Sequence, residues 1–263
     1  MKLTVCGAAG RMGRAVVRFA RERGVTIVGA AESPSSEALG RDVGERAGLE
    51  ALGVEISADL GSALLGADVV IDFTTPAVLP KLLAEAQHAG VAVVSGTTGL
   101  ETEAQALLDR AAERIAVLWA PNMSIGVQVL TRLCMEAAKA LGDEYAVEIV
   151  ETHHGAKADA PSGTARQLVR AVQAARPELE PRHGREGLVG PRPARELGVH
   201  AIRGGSVVGD HTVHLLGPRD RLEITHRAVD RDLFALGALR AADFVATQPP
   251  GRYDLSDVIS RAQ

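Results

Sequence analysis

The residues best suited to chemistry lie close together, in Glu151-Thr152-His153-His154-Gly155-Ala156-Lys157-Ala158-Asp159-Ala160-Pro161-Ser162-Gly163-Thr164. Two adjacent histidines and a nearby lysine gather proton donors and cations in one short loop. That collection suits a ligand that bears carboxylates and must receive a proton. The Pro-Ser-Gly-Thr that closes the stretch opens a helix, and the first backbone N–H groups of that helix, on Gly163 and Thr164, form a cradle for one carboxylate. The plainer alternative is a pair of surface histidines, a solvated lysine and a Ser/Thr helix cap. A metal centre is not expected, because His153 and His154 diverge on an extended chain and no third ligand stands at a recognisable spacing.

A second group opens the chain: Gly7-Ala8-Ala9-Gly10-Arg11-Met12-Gly13, glycines at GxxGxxG spacing between a strand-like KLTVC and a helix-like AVVRFARER. Glycine lets the backbone turn sharply and approach a pyrophosphate, and the helix start adds free N–H groups and a positive dipole end. Glu32 stands 19 residues beyond Gly13, where an acidic side chain accepts hydrogen bonds from adenosine ribose hydroxyls. The competing reading is a tight strand-to-helix turn in an α/β protein of other purpose. Residues 33–37, SPSSE, hold no cation, and Glu32 repels a 2′-phosphate, so NADH is favoured, or dual use. Arg11 is either a clamp reaching across from the glycine loop or a solvated helix-start arginine.

Two further turns follow strand-like runs. Gly96-Thr97-Thr98-Gly99 offers small residues for close approach and hydroxyls for a carboxamide, or is a plain turn with a helix cap. Ala120-Pro121-Asn122-Met123 occupies the equivalent place one strand later, as a cofactor contact or as an interdomain hinge.

The elements that must position these groups are legible as alternating runs. Residues 2–6, 25–31, 67–73, 91–96 and 115–120 are short and β-branched, and Ala/Leu-rich stretches such as 77–89 and 101–113 separate them. Alternating βαβα units imply a parallel sheet with helices on both faces. After a helix-like run at 125–141 comes a strand-like 147–151, and later 199–205, 206–216 and 221–228, which suggest an antiparallel or mixed sheet. Residues 176–197, with four prolines, are expected to be a long irregular loop. The expectation is an α/β chain in two domains: a Rossmann-like dinucleotide-binding domain over 1–124, completed by about 232–263, and an α+β domain with a mixed sheet over 125–231 for substrate binding and oligomerisation.

Composition narrows the classes. The chain has 263 residues, 46% of them apolar, which suffices for two modest cores. A formal charge of −4 provides no broad basic field, and only 3% of residues are aromatic, so neither a nucleic acid nor a membrane surface is the expected partner. The start lacks the pattern of a secretory signal, and no apolar run is long enough to span a bilayer, so a cytoplasmic location is expected. Cys6 and Cys134 have no ligand or pairing spacing and read as core residues.

Taken in order, GxxGRMG, DFT with a following proline at 72–76, SGTTG at 95–99, ExHHxxKxDAPSGTA at 151–165, REG at 185–187, RGGxxVGDHTV at 203–213 and LEITHRA at 222–228 resemble the dihydrodipicolinate reductase family over nearly the whole chain. The resemblance implies a cytoplasmic homotetramer, assembled through its C-terminal sheets, in the diaminopimelate route to lysine. It implies hydride delivery from NADH or NADPH to C4 of a cyclic dicarboxylic imine after loss of the 4-hydroxyl as water. By the same resemblance His153 is the proton donor and acceptor, Lys157 a second proton donor, and His154, Gly163 and Thr164 hold the substrate. Gly7, Ala8, Ala9, Gly10, Arg11, Met12, Glu32, Gly96, Thr97, Thr98, Ala120, Pro121, Asn122 and Met123 hold the cofactor.

Two positions depart from the family pattern: Ser33 and Thr75 stand where many members carry arginine, which weakens a 2′-phosphate clamp. Gly155-Ala156 is also a smaller, less basic pair than some relatives have. Two other functions remain in view, another two-domain imino- or amino-acid dehydrogenase and a non-catalytic NAD(H)-sensing module. A substrate panel separates the first from the family reading, and a dispensable 153–157 loop would mark the second.

Overall fold

The computed structural model describes residues 1–260. In chain order its main elements are β1 (Lys2–Cys6), α1 (Arg11–Glu22), β2 (Thr26–Ala31), α2 (Val43–Arg46), β3 (Ile56–Ser57), α3 (Leu60–Ala63), β4 (Val69–Asp72), α4 (Leu79–Ala89), β5 (Ala92–Ser95), α5 (Thr102–Ala112) and β6 (Ala116–Trp119). Then come α6 (Ile125–Leu141), β7 (Ala146–His153), α7 (Gly163–Ala175), β8 (Glu180–His183), β9 (Glu196–Arg203), β10 (Gly209–Leu216) and β11 (Arg221–Ala228). The chain closes with α8 (Asp232–Val245), β12 (Gly251–Tyr253) and α9 (Leu255–Ser260). Two compact units result, one of Met1–Ser124 with the chain from Asp232 onward, the other of Ile125–Arg231. Of the terminal stretch expected to complete the first domain, residues 261–263 lie outside the described residues.

The first unit is built on a parallel sheet in the order β12-β6-β5-β4-β1-β2-β3. β4 and β5 are buried at every position, which is why VVID and AVVS read as continuous apolar runs rather than alternating ones. On one face Leu79, Leu82 and Leu83 of α4 and Leu108 of α5 pack over Val70, Val93 and Val117. On the other, α8 packs on β4, β5 and β6 and against α1. The short edge strands β3 and β12 escape a periodicity reading because two or three residues show no period.

The second unit has a mixed sheet, β11-β10-β7-β9-β8, in which β7 runs antiparallel to β10 and parallel to β9. Burial alternates along β7, so one face meets helices and the other does not. Val147, Ile149, Val199, Val213 and Leu215 lie under Leu130 and Cys134 of α6 and Leu168 and Val172 of α7. The 176–197 segment is not wholly irregular: β8 forms within it and pairs parallel to β9. Pro181 fits there because β8 is an edge strand, where a missing N–H costs no ladder bond. Cys6 and Cys134 are buried, unpaired thiols. No described helix is long and apolar enough to cross a membrane.

Candidate functional site

In the first unit, sheet register aligns Ala31, Cys6, Asp72, Ser95 and Trp119 in one row near the carboxyl ends of five parallel strands. The segments that leave this row are Glu32, the glycine loop, residues 73–75, Gly96–Thr98 and Ala120–Met123. Every cofactor-site residue expected from the sequence therefore emerges at the same sheet edge, where open α/β sheets bind ligands.

The glycine loop is shaped by two close approaches. Gly7 has φ +76°, and a Cβ there would stand 2.9 Å from the Phe73 carbonyl oxygen. At Gly13 a Cβ would come within 2.1 Å of the Gly7 carbonyl oxygen and 2.7 Å of Ala8 Cα, so only glycine lets α1 begin this close to the strand. The Gly7 and Ala8 N–H groups donate to the Ala31 carbonyl at 2.9 and 3.2 Å. Glu32 braces the loop from the neighbouring strand, accepting from Ala9 N–H at 2.9 Å and from Ser33 N–H at 3.0 Å. Gly10 caps α1 without a side chain, leaving a bare helix start, with Arg11 exposed in its first turn and Met12 half-buried. A narrow cradle of glycine and alanine at a helix N-terminus that no side chain caps fits a dinucleotide pyrophosphate.

The second cofactor segment is fixed from below. Thr97 is buried, its carbonyl accepts from Trp119 Nε1 at 2.9 Å, and its hydroxyl donates to Asp72 at 2.9 Å; Thr98 is exposed beside it. Gly96 lies against the Phe73 ring. Ala120 donates its N–H to the Ser95 carbonyl at 3.1 Å, Met123 is buried, Pro121 is exposed, and Asn122 Oδ1 accepts from Ser124 N–H. Asp72, within the DFT motif, carried no role in the sequence reading.

In the second unit, Glu151 and His153 share the helix-covered face of β7, two residues apart. Glu151 is fully buried and accepts from His153 Nδ1 at 2.5 Å, Ser162 N–H at 3.0 Å and both terminal nitrogens of Arg203 at 2.8 Å. Arg203 stands directly across the β7–β9 ladder from His153. Burial alone would raise the Glu151 carboxyl, but the bonds from Arg203 and His153 hold it below the ordinary value. A carboxylate accepts only, so Nδ1 of His153 carries hydrogen and Nε2 is left to exchange a proton. Burial lowers the His153 pKa, against the pull of Glu151, and makes the protonated ring a stronger acid.

His211 of β10 closes the back of this cluster. Its ring meets that of His153 edge-to-face at 5.2 Å, and its Nε2 lies 3.0 Å from Ser162 Oγ. Burial first, then the neighbouring His153, brings His211 to about 4, so it is neutral at physiological pH. Ser162 caps α7 by accepting from Ala165 N–H at 3.1 Å, which sets Gly163 and Thr164 at the positive end of that helix. Lys157 donates to Asp159 at 2.6 Å, and the Asp159 carbonyl accepts from Arg203 at 2.8 Å. His154 Nε2 lies 3.4 Å from Arg231. The fold thus gathers His153, Lys157, Gly163 and Thr164 around Glu151, Ser162, Arg203 and His211. Glu151, Arg203 and His211 carry no role in the sequence pattern, whereas Ser162 is the helix cap that the plainer reading of this stretch offers.

Comparison with known proteins covers both units. The family model described as dihydrodipicolinate reductase, N-terminus, matches residues 1–123, and that described as dihydrodipicolinate reductase, C-terminus, matches residues 126–259. The chain is 46% identical over 262 residues to a 4-hydroxy-tetrahydrodipicolinate reductase of Geobacter metallireducens, covering 98% of each chain. To its namesake in an Anaeromyxobacter species it is 48% identical over 263 residues, covering 98% of this chain and 97% of the other. Among solved structures, a dipicolinate-bound dihydrodipicolinate reductase from Paenisporosarcina sp. TG-14 aligns with TM-score 0.74 at 23% identity over 97% of each chain. An amine dehydrogenase from Mycobacterium smegmatis aligns with TM-score 0.59 at 15% identity, over 97% of this chain and 95% of that one, so other dehydrogenases share the fold.

Proposed function

The chain belongs to the dihydrodipicolinate reductase family, and on that premise we propose that His153, steered by Glu151, exchanges the proton in its reaction. The enzyme is an NAD(P)H-dependent oxidoreductase that reduces 4-hydroxy-tetrahydrodipicolinate to tetrahydrodipicolinate, with loss of water, on the diaminopimelate route to lysine. When bound, the reduced nicotinamide supplies the hydride.

The hydride joins C4 of the dehydrated substrate, and the electron pair it displaces collects on the ring nitrogen and the carbon beside the imine. Nε2 of His153 donates the proton that quenches it, and Lys157 is the second donor. Lys157, His154 and the N–H groups of Gly163 and Thr164 counter the two carboxylates. Gly7 to Met12 cradle the pyrophosphate, Glu32 takes the ribose, and Gly96–Thr98 with Ala120–Met123 take the nicotinamide end. Residues 1–124 with the chain from 232 form the dinucleotide-binding domain, and residues 125–231 the substrate and assembly domain. The observation that carries this reading is the bond from His153 Nδ1 to a buried Glu151 already clamped by Arg203.

Ser33 and Thr75 leave a 2′-phosphate without a nearby clamp, so NADH serves at least as well as NADPH, with Arg11 as the one cation of the glycine loop. The enzyme works as a cytoplasmic homotetramer. In support, the helix-free face of the second unit's sheet leaves Ile202 at 50% exposure, a position that a second copy would cover. The test is an initial-rate assay with NADH and NADPH in parallel, the substrate being made in place from pyruvate and aspartate semialdehyde by the preceding synthase. Turnover with NADH at least equal to that with NADPH is expected; absence of turnover with either overturns the reading.

A further inference from the structure

Asp72 ends β4 with no exposed surface. One oxygen accepts from the Thr74 N–H at 2.9 Å and the Thr74 hydroxyl at 2.5 Å, the other from the Ser95 hydroxyl at 2.7 Å and the Thr97 hydroxyl at 2.9 Å. These partners are all neutral, and among the described residues no cationic side chain pairs with this carboxylate. A buried charge without a counter-ion is costly, and a fold keeps one where a cation arrives from outside or where the field does work. Its field reaches across the row of strand ends. Burial first, then the charges of Asp72 and Glu32, push the Cys6 thiol far above its usual value.

We propose that Asp72 is a positioning residue for the nicotinamide end of the cofactor: it fixes the 95–98 turn through Ser95 and Thr97, and its uncompensated charge favours the cationic, oxidised ring over the neutral, reduced one. This rests on the reading that Gly96–Thr98 hold the cofactor. The positional half follows from connectivity, since one carboxylate ties the turn after β4 to the turn after β5, while Trp119 holds Thr97 from β6. The electrostatic half follows from hydride transfer. A dihydronicotinamide held at this turn would give up a hydride and become a cation, and the Asp72 carboxylate beneath the turn would stabilise that charge.

The test is calorimetric titration of the full chain with NAD⁺, NADH and ADP-ribose. Asp72→Asn is expected to weaken NAD⁺ by about tenfold more than NADH, the size of one partly screened charge interaction, and to leave ADP-ribose within about twofold. Equal weakening of NAD⁺ and NADH overturns the charge argument. Thr97→Val keeps the carboxylate, so its NAD⁺-to-NADH preference stays within about twofold of wild type; a preference lost there overturns the proposal even should Asp72→Asn fail to fold. Wild-type protein that binds none of the three overturns the cofactor reading itself.

Discussion

Glu151 Oε2 lies 2.5 Å from Nδ1 of His153, on the same face of one strand and two residues away. The contact decides which nitrogen of the imidazole is left to exchange a proton, and it is the part of the proposed site most directly open to test. In Glu151→Gln the amide competes for the tautomer and removes the charge that raises the His153 pKa. We expect kcat to fall by roughly 10²-fold, the pH midpoint of kcat to move to lower pH, and NADH affinity to hold. An unchanged pH profile would assign Glu151 a structural role only.

Replacing the proposed proton donors should separate chemistry from cofactor binding. His153→Ala and Lys157→Ala are each expected to lower turnover by about 10²-fold or more while leaving the Kd for NADH nearly unchanged. Loss of NADH binding in step with turnover, measured by fluorescence titration, would sink both assignments.

Cofactor choice can be shifted from one position. On the proposed placement of the ribose at Glu32, Ser33→Arg puts a cation beside it, and the KM for NADPH should drop by about tenfold relative to that for NADH. No change would point to Arg11 as sufficient on its own.

Acid should weaken the second unit in two steps. Burial and the neighbouring His153 hold His211 at about 4, below the 6.5 of a free imidazole, so the unfolded chain binds more protons between those values. The stability owed to a neutral His211 is complete above pH 6.5 and is lost as pH falls toward 4. For Glu148, burial alone would raise the carboxyl, but Arg185, Arg192 and His200 hold it at about 2, against an ordinary 4.5, and its contribution is lost from pH 4.5 downward. Thermal melts from pH 7.5 down to about pH 2.5 should show a Tm that falls through both ranges, and His211→Asn should flatten the upper part of that fall.

Asp42 predicts a stability effect far from the chemistry. Its carboxylate accepts from the N–H groups of Gly44, Glu45, Leu52, Gly53 and Val54, so one side chain both caps α2 and closes the loop that leads toward β3. Asp42→Ala should cost about 2–3 kcal/mol, measured by urea unfolding, with little change in KM for substrate.

The parts of this protein that were legible in sequence are those whose signal is local. Val69–Asp72 and Ala92–Ser95 announce buried parallel strands by their runs of β-branched residues, and Gly7 to Gly13 announces a tight strand-to-helix turn. The His153–Lys157 loop sets two histidines and a lysine within five consecutive positions, a cluster that any reader of the sequence meets at once. Arg203 and His211 were not assignable, because they meet Glu151 and Ser162 only through the pairing of β7 with β9 and β10, which joins residues about fifty positions apart. Asp72 was hidden for the same reason: its partners Ser95 and Thr97 sit at the end of the next strand and just beyond it. β8 was masked by Pro181, a residue that argues against a strand everywhere except at an edge.

The return of the chain to its first unit through α8 bears on how the protein is made. Ala235, Ala238, Leu239, Ala241, Ala242 and Val245 are buried in that helix, which covers β4, β5 and β6. A nascent chain that has emerged as far as Arg231 already holds every residue of the second unit, while an apolar face of the earlier sheet still waits for its cover. Maturation therefore runs out of step with synthesis: the later-encoded unit can settle first, and the earlier sheet keeps an apolar face uncovered until α8 has left the ribosome.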